Sequence, residues 1–462
     1  MKISGRFGKR AASFVLVAAV LGIPAGALRA MCFRGSCENS AKAASETPFC
    51  SLPEAVRDLV VNGFHEKRSP DLMAVTGEAF VSGGRAFSGS APQPLWPSVA
   101  AVEAGRVPII FSGVGVDPGA DVPPDAGVDT LAGTIARIIE LRRPNPDVRS
   151  GRALAEIVSG EVPRLVLEVV WSGVGSDELE AGPTDWPVLS RLMSEGAGTL
   201  EGRIGSLPLD PAATIATIGT GGLPSQHGMT GTLVRSDGTG GGAAGEVVRA
   251  WGADSPVSVI ATLGDHLDEV TRQRPVIGLV ANDVSGKGLV GGDWYPGGDQ
   301  DVVKILGRDG SAAAAARVGA RVLRSHRFGK DQTPDLLGIV LSGDVSQMDK
   351  ALGDLVRAAE TASDGSFVVA VTSTGRSDRN AVSSSMSADE LAARIDRKVG
   401  IRPSVIDATS PGGLYLDQER LTSLKMSDDS VLKALLSVRT ADEDLVMADA
   451  FPSIAITFGR YC

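Results

Sequence analysis

The chain has 462 residues, 43% of them hydrophobic, and 45 Lys and Arg stand against 55 Asp and Glu, a formal net charge of -10. That length is enough to bury a sizeable core, and the acidic balance gives no electrostatic reason to expect nucleic acid as a partner. Histidine occurs only at His65, His227, His266 and His326, which argues against a metal site built from two or three convergent imidazoles.

Residues 1–30 begin with Lys2, Arg6, Lys9 and Arg10, pass through the apolar stretch Ala11 to Leu21, and end in small residues around Ala27 and Ala30. This is the pattern of a secretory signal, with an uncleaved anchor as the alternative, and it stays out of the fold argument. No other apolar run approaches spanning length. The expectation is an exported protein, secreted or held on the outer face of the cytoplasmic membrane, with membrane contact only through this segment. Residues 31–49 read as a linker holding Cys32 and Cys37, and 50–462 as one large domain. Four cysteines, Cys32, Cys37, Cys50 and Cys462, fit an oxidising compartment and allow three disulfide connectivities.

Across 50–462, runs of Val, Ile and Leu alternate with helix-like stretches, the pattern of a largely parallel sheet covered on both faces. In chain order, Val107 to Val116 reads as a strand and Val128 to Ala136 as a helix. A polar link at Ser159 to Pro163 follows a helix expected near Ala153. Leu165 to Trp171 reads as a strand and Trp186 to Gly196 as a helix. Asp210 and Pro211 precede an apolar stretch closed by Thr220, Gly221, Pro224, His227 and Gly228. The glycine run 238–245 resembles a dinucleotide loop but lacks the preceding strand and the spaced acid, so it reads as a flexible surface loop. His266 lies on an amphipathic stretch, where a solvated or capped helix position is the expectation. Ser285 to Gly288 lacks the ends of a phosphate loop. Asp293, Asp299 and Asp301 read as a polar turn, with a calcium site as the alternative. Asp335 to Leu341 and Phe367 to Ser373 read as strands around a helix at Met348 to Val356. Ala408 to Gly412 approaches a nucleophile elbow around Ser410, but Gly413 to Leu416 reads as a strand rather than a helix. The chain closes on a strand-like run, Ser453 to Phe458.

The segment from Leu207 to Gly231 resembles the nucleophile segment of the alkaline phosphatase superfamily, in particular its phosphodiesterase and nucleotide pyrophosphatase branch. There a Ser or Thr opens a helix that runs into T-G-x-x-P-x-x-H-G. Leu165 to Asp177 is similar to the first strand and metal loop of that family, Thr333 to Leu341 to its P-D-L strand, and Phe367 to Gly375 to its V-V-V-T-S-D-H-G strand. The closing segments of the family resemble Val107 to Val116 and Val128 to Ala136, which here lie upstream. The resemblance implies an alkaline-phosphatase-like three-layer α/β/α sandwich with a large mostly parallel sheet, circularly permuted. Residues 50–160 correspond to the C-terminal part of the family and 161–462 to its N-terminal part. Termini that meet at the surface permit such a rearrangement. A Cys50–Cys462 bridge would reseal the new cut, with Cys32–Cys37 as a local loop.

The same resemblance puts residues that cannot do the family chemistry at its catalytic positions. Pro211, preceded by Asp210, stands at the nucleophile, and Ser172 at the first metal Asp. Asp344 alone remains of the D-x-x-G-H loop, Ser373 and Thr374 replace the Asp-His pair, and Trp96 replaces the last histidine. Two metal ions, usually zinc, are what the family uses to neutralise phosphate and activate the nucleophile. The expectation is therefore a degenerate site with no cofactor, in an exported binding or structural protein whose partner is a cell-envelope protein or a small ligand. Trp96 and Trp171 are the expected apolar floor of the old cleft. The alternative is a metal-dependent phosphodiesterase or phosphatase with a rearranged site, two zinc or other divalent ions, Asp210 or Thr214 as nucleophile, and Asp177, Asp344 and Asp349 as oxygen ligands.

Overall fold

A computed structural model describes residues 48–76, 81–82, 96, 105–143, 146–292, 294, 301–307, 310–376, 386–441 and 443–459. In chain order the elements are α1 (Glu54–Gly63), β1 (Leu72–Thr76), β2 (Val81–Ser82), β3 (Arg106–Gly113), α2 (Thr130–Ile138), β4 (Leu165–Trp171), α3 (Ser176–Ala181), α4 (Pro187–Glu195), β5 (Ala197–Arg203), α5 (Pro211–Thr220), α6 (Pro224–His227), β6 (Leu233–Arg235), β7 (Val247–Arg249), α7 (Leu263–Thr271) and β8 (Ile277–Ala281). There follow α8 (Lys287–Val290), β9 (Val302–Ile305), α9 (Ala312–Ser325), β10 (Asp335–Leu341), α10 (Val345–Ser363), β11 (Phe367–Ser373), β12 (Met386–Ser387), α11 (Ala388–Val399), β13 (Ile406–Ser410), β14 (Gly413–Leu416), α12 (Gln418–Ser423), α13 (Asp428–Leu436), β15 (Met447–Pro452) and α14 (Ser453–Gly459).

The main sheet has seven strands in the order β5-β3-β11-β4-β10-β8-β9. Strands β11, β4, β10, β8 and β9 pair in parallel, and β3 runs antiparallel to both β11 and β5. Strands β4 and β10 are buried along their whole length, as expected of parallel strands covered on both faces. Alternate side chains face opposite ways and enter two separate cores. Val166, Val170, Leu336 and Val340 meet Leu131 and Ile135 of α2, Ile215 and Ile218 of α5, and Leu289 of α8. Leu167, Val169, Leu337 and Ile339 meet Leu189 of α4, Leu323 of α9 and Leu352 and Leu355 of α10. The architecture is the α/β/α sandwich with a mostly parallel sheet that the sequence implied.

A smaller antiparallel sheet, β13-β14-β1-β15, has its own core of Leu72, Trp96, Leu391, Ile395, Leu414, Leu435 and Val446. Strand β1 lies between β14 and β15, so residues near the start of the described chain pair with residues near its end. The expected strand Ser453 to Phe458 is instead helix α14. Strand β15 occupies the edge of β1 as far as Leu72 opposite Pro452, and the chain beyond turns to pack Ala455 and Ile456 into the core beside Phe49. A short apolar run does not distinguish helix from strand by itself. The helix expected near Ala153 is only the short 3-10 turn Ala155–Ile157. Among the described residues, no helix is long and apolar enough to cross a membrane.

Candidate functional site

Parallel register brings the ends of β10, β4 and β11 level, with Leu341 and Ser373 both opposite Trp171. The residues just beyond these ends form the edge at which open α/β sheets usually bind ligands. Here they are stitched to one another. The Ser172 N–H donates to the Leu341 carbonyl at 2.8 Å, and the Thr374 N–H donates to the Trp171 carbonyl at 3.0 Å. The Gly173 N–H donates to the Thr374 hydroxyl at 2.8 Å, and the Ser373 hydroxyl donates to the Val174 carbonyl at 2.7 Å. The structure thus brings Ser172, Ser373 and Thr374 together and bonds the Ser373 and Thr374 hydroxyls to the loop backbone. Arg376 pairs with Asp177 at 3.2 Å beside them.

Asp210 is the N-cap of α5 and Pro211 its first residue, where the missing proline N–H costs nothing. The Asp210 side chain is fully buried. One carboxylate oxygen accepts from the Ala212 N–H at 2.8 Å and the Thr232 hydroxyl at 3.0 Å, and the other from the Thr232 N–H at 2.9 Å. Burial raises its pKa, against the effect of these bonds. Thr214, the alternative nucleophile, donates its hydroxyl back to the Asp210 carbonyl at 3.2 Å. Both bond to the backbone at the start of α5.

Of the oxygen ligands the alternative needs, Asp349 is buried on α10 and accepts from the N–H groups of Val188 and Leu189, at 3.0 and 2.8 Å. It thereby satisfies two of the unpaired donors at the start of α4. Asp344 is the exposed N-cap position of α10. Among the described residues, no three of His, Cys, Asp or Glu converge to hold a metal ion, and the residues at the metal positions of the family do not fit a two-metal centre. Asp293 and Asp299 lie outside the described residues, as do Cys32, Cys37 and Cys462. Cys50 is disulfide-bonded.

Trp96 and Trp171 do not share a floor. Trp96 belongs to the core of the small sheet and Trp171 to that of the main sheet, and both are buried. His227 ends α6, where its Nδ1 accepts from the Met229 N–H at 3.0 Å and its Nε2 lies 3.1 Å from the Thr217 hydroxyl. Burial holds it neutral, with a pKa of about 3. His266 is neither solvated nor a cap. It is buried on α7, where Arg143 Nε donates to its Nδ1 at 3.2 Å and Arg149 lies 3.5 Å from its Nε2. Burial, then the two guanidiniums, lowers its pKa to about 3.

Sequence reasoning passed over Glu168, which sits mid-strand in β4 on the same face as Val166 and Val170. It is 1% exposed and neither carboxyl oxygen has a hydrogen-bond partner. Burial raises its pKa to about 8, with Arg143 opposing. The signal was present, since one carboxylate interrupts a wholly apolar strand.

A cleft of about 420 Å³ lies between the glycine run and the segment after β7, with Trp251, Trp294, Lys287 and Asp265 in its wall. The glycine run lies at the surface, as expected, but its middle packs closely: a Cβ at Gly240 would lie 1.8 Å from the Ser255 carbonyl oxygen. Asp265 is committed here too, as it accepts from Thr262 and from the Gly292 N–H. None of the catalytic positions marked by the resemblance lines this cleft.

No family model and no curated protein matches the chain. Among solved structures, the alkaline phosphatase PafA is similar at 14% identity, over 60% of this chain and 76% of that one, with a TM-score of 0.42. The phosphonoacetate hydrolase of Sinorhizobium meliloti 1021, crystallised with phosphonoacetate, is similar at 14% identity over 46% of this chain and 57% of that one, with a TM-score of 0.29. Both solved proteins are members of the alkaline phosphatase superfamily.

Proposed function

We propose that this is an exported, non-catalytic protein with an alkaline-phosphatase-like sheet, circularly permuted, serving as a binding or structural component at the cell envelope. The observation that carries the reading is the state of Asp210. The carboxylate beside the nucleophile position is buried, caps α5 and accepts three hydrogen bonds. A carboxylate so occupied has no free oxygen to attack an ester, and the neighbouring Pro211 has no hydroxyl. Asp349 is engaged in the same way at the start of α4.

Permutation is supported by two pairings. Strand β3, from the part corresponding to the C-terminal end of the family, runs between β5 and β11. The 3-10 turn Pro48–Ser51, which holds Cys50, packs on β15 and α14, with Phe49 and Phe451 edge to face at 4.9 Å. Helix α14 ends at Gly459, three residues before Cys462 in the sequence, which favours a Cys50–Cys462 bridge.

The test is turnover of p-nitrophenyl phosphate, bis-p-nitrophenyl phosphate and p-nitrophenyl sulfate, with zinc, magnesium or calcium, between pH 5 and 9. The proposal expects no activity above a matched Asp210→Asn preparation. Metal-dependent turnover that Asp210→Asn abolishes would establish the hydrolase reading instead.

A further inference from the structure

A short arginine-rich stretch folds into one cleft. Arg137, Arg142, Arg143, Arg149 and Arg152 line a space of about 380 Å³ in which, among the described residues, Glu140 is the one acidic lining residue. Five guanidiniums against one carboxylate stand out in a chain whose net charge is -10.

Two of the five are built into the wall. Arg149 is 6% exposed, and its Nε donates to the Thr220 carbonyl at 3.1 Å. Arg143 donates to the same carbonyl at 2.9 Å, to the Ala261 carbonyl at 3.2 Å, and to His266 Nδ1 at 3.2 Å. These acceptors fix the direction of the two guanidiniums. His266 is held uncharged between the two arginines. Arg143 also feels the carboxylate of Asp265 and then the buried Glu168, whose own pKa burial raises to about 8. Arg137, Arg142 and Arg152 form an exposed rim, where Arg152 lies 3.9 Å from exposed Asp147.

Such a cleft suits an oxyanion, because each exposed rim guanidinium can offer two parallel N–H groups that match two phosphoryl oxygens. The volume lies in the lower part of the small-molecule range, roughly 300–1,000 Å³, which suits a compact ligand better than a polymer. The cleft is also separate from the catalytic positions of the family. Thr220 closes α5 and Asp210 caps its other end, a helix about 15 Å long at ~1.5 Å per residue.

We propose that this cleft binds the phosphoryl group of a small phosphorylated molecule, with Arg142 and Arg152 at the rim and Arg143 and Arg149 in the wall. The inference goes beyond the proposed function and does not depend on whether the site near Asp210 is inactive.

Titration calorimetry of the intact protein at low salt, with glucose 6-phosphate, orthophosphate, pyrophosphate and uncharged glucose, tests it. The expected result is saturable binding of glucose 6-phosphate at one site per chain and none of glucose. Arg142→Glu combined with Arg152→Glu is expected to weaken it roughly tenfold or more, since charge-assisted bonds are lost, with the ligand-free melting temperature unchanged because both side chains are exposed. Arg142→Lys, which keeps the charge but not the fork, checks the same point with minimal risk to folding and is expected to fall between. Binding of orthophosphate or pyrophosphate with none of glucose 6-phosphate would overturn the phosphorylated molecule as ligand. Absence of saturable phosphate binding, or binding that both variants leave unchanged, would overturn the cleft.

Discussion

Thr232 is bonded to Asp210 twice, through its N–H at 2.9 Å and its hydroxyl at 3.0 Å, on different oxygens of the same carboxylate. With Ala212 as third donor, this ties the start of α5 to the segment before β6, and it makes Asp210 part of the scaffold at the position where the resemblance leads one to look for chemistry.

Asp210→Ala is therefore expected to lower stability by roughly 2–4 kcal/mol, about 1 from the lost N-cap and the rest from leaving a buried Thr232 N–H unpaired. Asp210→Asn should cost less, because one oxygen remains to accept. Urea denaturation of the three proteins at one pH checks the order.

Asp349 gives a parallel expectation on the other face of the sheet. Asp349→Ala uncaps α4 by removing the acceptor for Val188 and Leu189, at a cost of roughly 2–3 kcal/mol. If the residue is structural, the loss measured by denaturation is the same with and without a chelator. A loss seen only when divalent ions are present would mean that Asp349 holds a metal.

Glu168 makes stability fall as pH rises. Its folded pKa, about 8, lies above the ordinary glutamate value of 4.5, so the native state holds its proton more tightly. The stabilising contribution is complete below about pH 4.5 and is lost as pH rises through 8. His227 and His266, both lowered to about 3, act in the opposite sense: their contribution is present above about 6.5 and lost as pH falls toward 3. In the window from pH 6.5 to 8, above the range in which these two histidines act, Glu168 is expected to contribute a drop of about 2 kcal/mol, at ~1.4 kcal/mol per pH unit for one proton. Glu168→Gln should flatten that slope, as measured by urea denaturation at several pH values.

Much of the main sheet was legible. Long apolar runs bounded by polar turns gave β3, β4, β10 and β11 at nearly their observed positions, and the Asp210-Pro211 pair marked the start of α5, with Gly221 ending it at φ 76° in the left-handed region that favours glycine. What escaped depends on contacts distant in sequence. The run Ser453 to Phe458 alternates like a strand, but no strand edge remains for it after Pro452. His266 looked like a surface helix residue because the arginines that enclose it come from 143 and 149, more than 110 positions away. Trp96 and Trp171 look interchangeable in sequence and belong to separate cores. The arginine cleft was visible only as composition, five arginines within 137–152, until folding gave it a concave shape.

The proposed Cys50–Cys462 bridge predicts a single cross-linked peptide joining the two ends of the domain in a non-reduced digest. Mass spectrometry that pairs Cys50 with Cys32 or Cys37 would remove the disulfide from the case for permutation, leaving the strand pairings to stand alone.

The measurement closest to the central claim is the metal content of the purified, oxidised protein after dialysis against trace zinc, calcium and magnesium. A protein whose Asp210, Ser172, Ser373 and Thr374 serve the scaffold retains no tightly bound metal at those positions. Two equivalents of zinc per chain, lost on replacement of Asp210 or Asp349, would contradict the account and return the protein to the hydrolases.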